Sequence, residues 1–210
     1  NIHISPEHSK ELLQQIGICF LFAQNYHITM KYVAPVRREL GIRTIFNILG
    51  PLANPAGANL ELLGVYEEAL VEPLARVLAR LGVRRAMVVY GQDGLDEISL
   101  SAPTTVCELR DGQLSSYTLT PEQFGLTRCR KEDLVGGSPQ ENAAITRNIL
   151  SGQKGPQRDA VVSNSAAAIY IARPDLTLAE AVAVAESVID SGAALAQLER
   201  FANLSNEVRP

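Results

Sequence analysis

The sequence predicts an α/β fold, a mainly parallel sheet covered by helices with one hairpin excursion. Three observations predict it. "LELLGVY" (60–66), "EEALVEPLARVLARLG" (67–82) and "RRAMVVYG" (84–91) read as strand, amphipathic helix and strand. Such a unit joins parallel strands through a right-handed crossover. In "TTVCELRDGQLSSYTL" (104–119), two alternating runs flank Asp111-Gly112, the signature of a tight type I′ hairpin. Beyond residue 159 the chain becomes alanine-rich with helical spacing, which suits helices packed closely on a sheet.

The elements follow in order. Ser5-Pro6-Glu7 starts a helix with proline at its first position, although His8 takes the place a full capping box needs. Leu12, Leu13 and Ile16 give the helical spacing and Gly17 stops it. "ICFLFA" (18–23) is a short continuous apolar run that suits a buried strand. "NYHITMKYVAPVRRELG" (25–41) reads as helix, bent near Pro35. In "RTIFNILGPLANP" (43–55) the prolines push Gly50 and Asn54 out of regular helix, leaving a short stiff element between larger pieces. After the hairpin, "PEQFGL" starts a helical turn, and Ser138-Pro139 with Glu141 forms an S-x-x-E capping box. Helices over about 159–172, 177–190 and 192–203 complete the chain.

Composition narrows the function. The chain has 210 residues, 46% hydrophobic, only 5% aromatic and without tryptophan, so its interior is aliphatic. A net charge of −4 provides no electrostatic footprint for nucleic acid. No apolar run approaches a membrane span, and no signal peptide is visible. Cys19, Cys107 and Cys129 are widely spaced and match no metal pattern, which points to reduced thiols and a cytoplasmic protein.

Two clusters are candidates for chemistry. "YGQDGLDEISL" (90–100) follows the second strand of the βαβ unit, where ligands of α/β sheets gather. Asp93, Asp96 and Glu97 crowd three acids there, which either form a solvated loop or share a hard cation such as Mg²⁺. The segment with His27, Lys31, Arg37 and Arg38 is either an ordinary charged face or a site where one arginine grips a small carboxylate. Gly136-Gly137 before Ser138 reads as a turn, with an anion nest as the other possibility. No G-x-G-x-x-G, P-loop, G-x-S-x-G or H-E-x-x-H motif is present.

Taken together, "FLFAQNYHITMKYVAPVRRELGIRTIFNILGPLANP" and "YGQDGLDEISL" resemble the anthranilate phosphoribosyltransferases of tryptophan biosynthesis. The resemblance runs along essentially the whole chain. It implies transfer of the 5-phosphoribosyl group of phosphoribosyl pyrophosphate to the amino nitrogen of anthranilate, with Mg²⁺, in a homodimeric enzyme. Arg37 of the "V-x-x-V-R" stretch is implied to bind the anthranilate carboxylate, His27 to line its entry path, and Pro51 of "GPL" to pack on its ring. Asp96 and Glu97 of "G-x-D-E" are implied to hold Mg²⁺ on the pyrophosphate side.

By the same resemblance, residues 1–24 and 60–210 belong to a large α/β phosphoribosyltransferase domain. Residues 25–59 supply helices and hinge to a small helical domain. The family's "GTGGD" loop, "KHGN" segment and first helices precede the point matched by Asn1. The chain is therefore expected to be a carboxy-terminal part, weakly active or inactive by itself. A pyrimidine nucleoside phosphorylase of the same fold and a non-catalytic nucleic-acid-binding relative are the alternatives. The first has no reason to pair "RTIFNILGPLANP" with "GLDE", and the second calls for a basic face that a charge of −4 does not supply.

Overall fold

The computed structural model describes residues 1–26, 32, 35, 39–42 and 47–207. Among them the helices are α1 (Pro6–Ile16), α2 (Ala23–Tyr26), α3 (Leu49–Leu52), α4 (Val71–Arg80), α5 (Pro139–Leu150), α6 (Pro156–Ala172), α7 (Leu178–Asp190) and α8 (Ala193–Ser205). The strands are β1 (Leu60–Gly64), β2 (Arg85–Gly91), β3 (Thr104–Arg110) and β4 (Gln113–Leu119). The chain divides into two compact units, Asn1–Gly57 with Ala194–Pro210, and Ala58–Ala193.

In the first unit, α1 begins and ends as its residues dictate. Ser5 Oγ accepts the His8 N–H at 3.1 Å, and Gly17 closes the helix at φ 74° with its N–H on the Leu13 carbonyl. Polar contacts tie α1 and the segment before it to α8. The Asn1 amino group donates to Ser205 Oγ at 2.9 Å, and His8 Nε2 lies 3.1 Å from the Leu204 carbonyl oxygen.

Two expectations change here. Residues 18–22 do not form a buried strand: Ile18 and Phe20 are exposed and no ladder partner exists among the described residues. Phe20 and Phe22 stack on one another at 6.2 Å, the i, i+2 relation of extended backbone without a sheet. Gly50 and Pro51 lie inside α3 instead of ending a helix. A single turn has no interior N–H ladder, so a proline within its first residues sacrifices no hydrogen bond. Asn54 does lie outside helix, its Oδ1 accepting the Ala56 N–H at 2.9 Å in a tight turn.

The second unit carries the α/β fold. Its sheet has the order β1-β2-β3-β4. β1 and β2 are parallel, with Leu62 opposite Met87, as the βαβ unit requires. The other two pairings are antiparallel, so the sheet is mixed. Asp111 (φ 52°) and Gly112 (φ 78°) both adopt the positive φ that a type I′ turn demands, and this turn reverses β3 into β4.

Alternation along the strands builds two apolar faces. Met87, Val89 and Val106 meet Val162, Ala166, Ala167 and Ile171 of α6 and Ala181, Ala185 and Ile189 of α7 in one buried core. The opposite face, with Ala86, Val88, Cys107 and Leu109, is covered by α4 through Leu74, Ala75 and Leu78. Small alanines on α6 and α7 let the helices sit close to each other and to the sheet. No helix among the described residues is long and apolar enough to cross a membrane.

The first of these faces also holds charges that strand alternation does not advertise. The Glu108 carboxylate is 8% exposed and accepts hydroxyl protons from Tyr117 at 2.8 Å and Tyr170 at 3.1 Å. Burial and the Glu108 charge push the Tyr117 phenol well above its ordinary range, so it stays a donor. The equally buried Arg85 guanidinium has no hydrogen-bond partner among the described residues and lies 5.2 Å from the Tyr170 ring centroid, a cation–π contact. Glu108→Ala would leave two phenol hydroxyls without their acceptor beside a buried guanidinium. It is expected to cost about 3 kcal/mol in urea denaturation; a loss below about 0.5 kcal/mol would mean water replaces the carboxylate without penalty.

Candidate functional site

The acidic loop springs from the carboxyl end of β2, and its shape is fixed by backbone contacts before any side chain acts. The Gly91 N–H donates to the Leu95 carbonyl at 2.8 Å, and the Gly94 N–H returns to the Gly91 carbonyl at 2.8 Å. Gln92 N–H reaches the Pro103 carbonyl at 2.9 Å, so the loop closes on the start of β3. Asp96 then crosses the carboxyl end of β1. A β-carbon at Gly64 would lie 1.6 Å from the Asp96 carbonyl oxygen, closer than any real contact. Only glycine at position 64 lets the loop pass there.

Asp93 braces the loop from within. Its Oδ2 accepts from Ser99 Oγ at 2.9 Å and also from Ser101 Oγ, while Lys131 Nζ donates to its carbonyl at 2.5 Å. Burial alone would raise the Asp93 carboxyl. The Ser101 and Ser99 hydroxyls, with help from the Lys131 charge, more than offset it and hold the group below the usual carboxylate range. Ser99 is buried, and its Oγ also accepts the N–H groups of Ser101 and Ala102 at 3.0 and 3.1 Å. Asp93 Oδ2 is thus spent on the loop, while its Oδ1 is buried without a hydrogen-bond partner among the described residues.

Asp96 and Glu97 are different. Both are exposed to solvent, and among the described residues no hydrogen bond or ion pair braces either carboxylate. Partial desolvation and then the adjacent Asp96 charge raise the Glu97 carboxyl above its ordinary range. A dication would relieve that repulsion. Among the described residues no three His, Cys, Asp or Glu side chains converge on one point, so the pair offers a metal two protein carboxylates at most. That donor set fits Mg²⁺, which keeps waters and takes phosphate oxygens in its remaining positions.

The other sequence candidates fall elsewhere. Pro51 is exposed in α3 of the first unit. His27, Lys31, Arg37 and Arg38 lie outside the described residues. The Gly136-Gly137 turn is no anion nest: Asn142 Oδ1 accepts the Gly137 N–H at 2.8 Å, and Glu141 Oε2 accepts the Ser138 N–H at 2.6 Å. The amides at the start of α5 are consumed by its own cap. Sequence reasoning missed Gly64, Ser99, Ser101, Lys131 and Asn164. The first could have been sought as a glycine ending a strand; Ser99 and Ser101 act within the loop itself, and Lys131 and Asn164 act through contacts distant in sequence.

The glycosyl transferase family, a/b domain, matches residues 1–195. The chain belongs to that family. Within it, 206 residues are 68% identical to anthranilate phosphoribosyltransferase of Lachnoclostridium phytofermentans, covering 98% of this chain and 61% of the relative. Anthranilate phosphoribosyltransferase from Thermus thermophilus superposes with TM-score 0.92 at 44% identity, over 99% of this chain and 61% of that one. The Saccharomyces cerevisiae enzyme in complex with PRPP and Mg gives TM-score 0.89 at 30% identity, over 98% and 59%. The chain thus spans about three-fifths of the relatives it matches. Nothing in these similarities favours a nucleoside phosphorylase or a nucleic-acid-binding relative.

Gly64→Ala tests the loop's seat in this family member. It is expected to displace residues 95–97 and to cost about 2 kcal/mol or more in denaturant unfolding. Unaltered stability, with unchanged amide shifts for those residues, would contradict the contact.

Proposed function

We propose that this chain contributes to the transfer of a 5-phosphoribosyl group from phosphoribosyl pyrophosphate to anthranilate in tryptophan biosynthesis, with Mg²⁺. The observation that carries the reading is the loop of Asp96 and Glu97: two unbraced carboxylates on a backbone fixed at the carboxyl ends of β1 and β2. It stands in a chain 68% identical to an anthranilate phosphoribosyltransferase over nearly its whole length.

In this reading Asp96 and Glu97 hold Mg²⁺, which when bound supplies positive charge to the pyrophosphate oxygens. The bond from ribose C1′ to pyrophosphate breaks as the anthranilate nitrogen bonds to C1′, and the nitrogen then gives up a proton. An aryl amine is neutral and already nucleophilic, so placement replaces a strong base. Arg37 grips the substrate carboxylate through parallel N–H groups, Pro51 packs against the aromatic ring, and His27 lines the entry path. Departing pyrophosphate accumulates negative charge, and the carboxylates' role is to keep a cation where that charge develops.

The same reading assigns residues 1–24 and 60–210 to the large α/β domain, and 25–59 to the helices and hinge of the small one. It places the enzyme in the cytoplasm as a homodimer. Neither nucleic acid nor membrane is a partner.

Anthranilate fluorescence tests it directly, since the signal falls as the amine is ribosylated. The assay is run on the chain alone and after adding the portion of a relative that this chain does not span. Mg²⁺-dependent loss is expected in the second case at least. Asp96→Asn and Glu97→Gln should lower turnover by about 10²–10³-fold, and Arg37→Ala should raise the KM for anthranilate by about tenfold. No loss in either arrangement, or loss indifferent to these substitutions, would overturn the reading.

A further inference from the structure

We propose that Asn164, on α6, is the positioning residue of the acidic loop, holding the backbone beside Glu97 so that the segment carrying both carboxylates is preset for their cation. The inference rests on the reading of Asp96 and Glu97 as the metal-holding pair.

Asn164 lies 66 residues from the loop in sequence and meets it with both ends of its carboxamide. Oδ1 accepts the Ile98 N–H at 3.0 Å, and Nδ2 donates to the Ile98 carbonyl at 3.1 Å. A side chain that accepts from and donates to the same residue imitates a neighbouring β-strand, in a stretch of the loop that belongs to no strand. The remaining Nδ2 proton goes to the Ala160 carbonyl at 3.0 Å, one helical turn back. That third bond locks the amide's own orientation, so the clamp is rigid from the helix outward.

The position of the clamp gives it its consequence. Ile98 directly follows Glu97, and its side chain is buried in the core shared with α6 and α7. On the other side, the Asp96 carbonyl is lodged against Gly64, and Leu95 is bonded to Gly91. Asp96 and Glu97 are therefore bracketed by fixed backbone while their side chains extend into solvent. A backbone held this way need not be ordered when a cation arrives, so only the two side chains have still to settle, which strengthens binding without adding a ligand. Leucine at 164 would keep the branched shape, with somewhat larger volume, yet it would leave the Ile98 N–H and carbonyl without partners inside the protein.

Four forms of the chain are compared: the parent, Asn164→Leu, Asp96→Asn, and Ile171→Ala as a control that damages the same helix's core away from the loop. Ile98 amide exchange is read by NMR, and Mn²⁺ binding in the presence of pyrophosphate by electron paramagnetic resonance. The expected result is at least tenfold faster Ile98 exchange and about tenfold weaker Mn²⁺ binding in Asn164→Leu. Ile171→Ala should lower Tm while Mn²⁺ affinity stays within about twofold of the parent. Should Asn164→Leu fail to fold, Asn164→Ala takes its place in the same comparison. Unchanged Ile98 exchange, or faster exchange with unchanged Mn²⁺ affinity, would overturn the positioning role. Parent binding that is absent, or that Asp96→Asn does not weaken, would instead overturn the metal reading on which it rests.

Discussion

The Asp96 carbonyl occupies the space where residue 64 would carry a β-carbon, and the acidic loop is arranged around that contact. It brings the acidic loop down onto the carboxyl end of β1, next to the parallel pair β1–β2. With that seat fixed, Ile98 can drop into the core, Ser99 can be buried beneath Asp93, and Thr104 Oγ1 can accept the Ser99 N–H at 3.0 Å as β3 begins. A βαβ unit would fold without this contact. The loop would then have no reason to hold two carboxylates in one place.

Charge is distributed around that seat by function. Asp93 is buried enough to need partners and finds them in two hydroxyls, so its charge is internal to the loop. Arg158 is 2% exposed and bonds Asp190 at 2.7 Å, joining the start of α6 to the end of α7. Glu108 satisfies two tyrosines across the sheet face. These groups stiffen the platform from which Asn164 reaches the loop. Among the acids of the loop, Asp96 and Glu97 keep unbraced carboxylates, and their mutual repulsion is the feature a cation relieves.

Much of this was legible in the sequence. Asp111-Gly112 gives the hairpin turn because only a few residues accept two consecutive positive φ values, and the structure has both. Ser138 to Glu141 gives the start of α5 through bonds between near neighbours. The acid pair is visible because it follows a strand within a few residues. What lies across the fold is not visible: nothing near Asn164 in sequence hints that its amide will meet Ile98, and nothing near Arg85 or Glu108 names the partners that let these charged residues be buried. The run at 18–23 shows the opposite failure. Its hydrophobicity suits a buried strand, but pairing is a property of the neighbours, and none of the described residues pairs with it.

If these contacts govern the site, the acidic loop is already in its working shape before cation and pyrophosphate bind. A crystal structure with Mn²⁺ and pyrophosphate, located by anomalous scattering, tests this most directly. The predicted result is a Mn²⁺ peak bound by Asp96 and Glu97, with the Gly64 contact and both Asn164–Ile98 hydrogen bonds retained. A peak held by other residues, or a loop that must leave Gly64 and Asn164 to reach the ion, would contradict it.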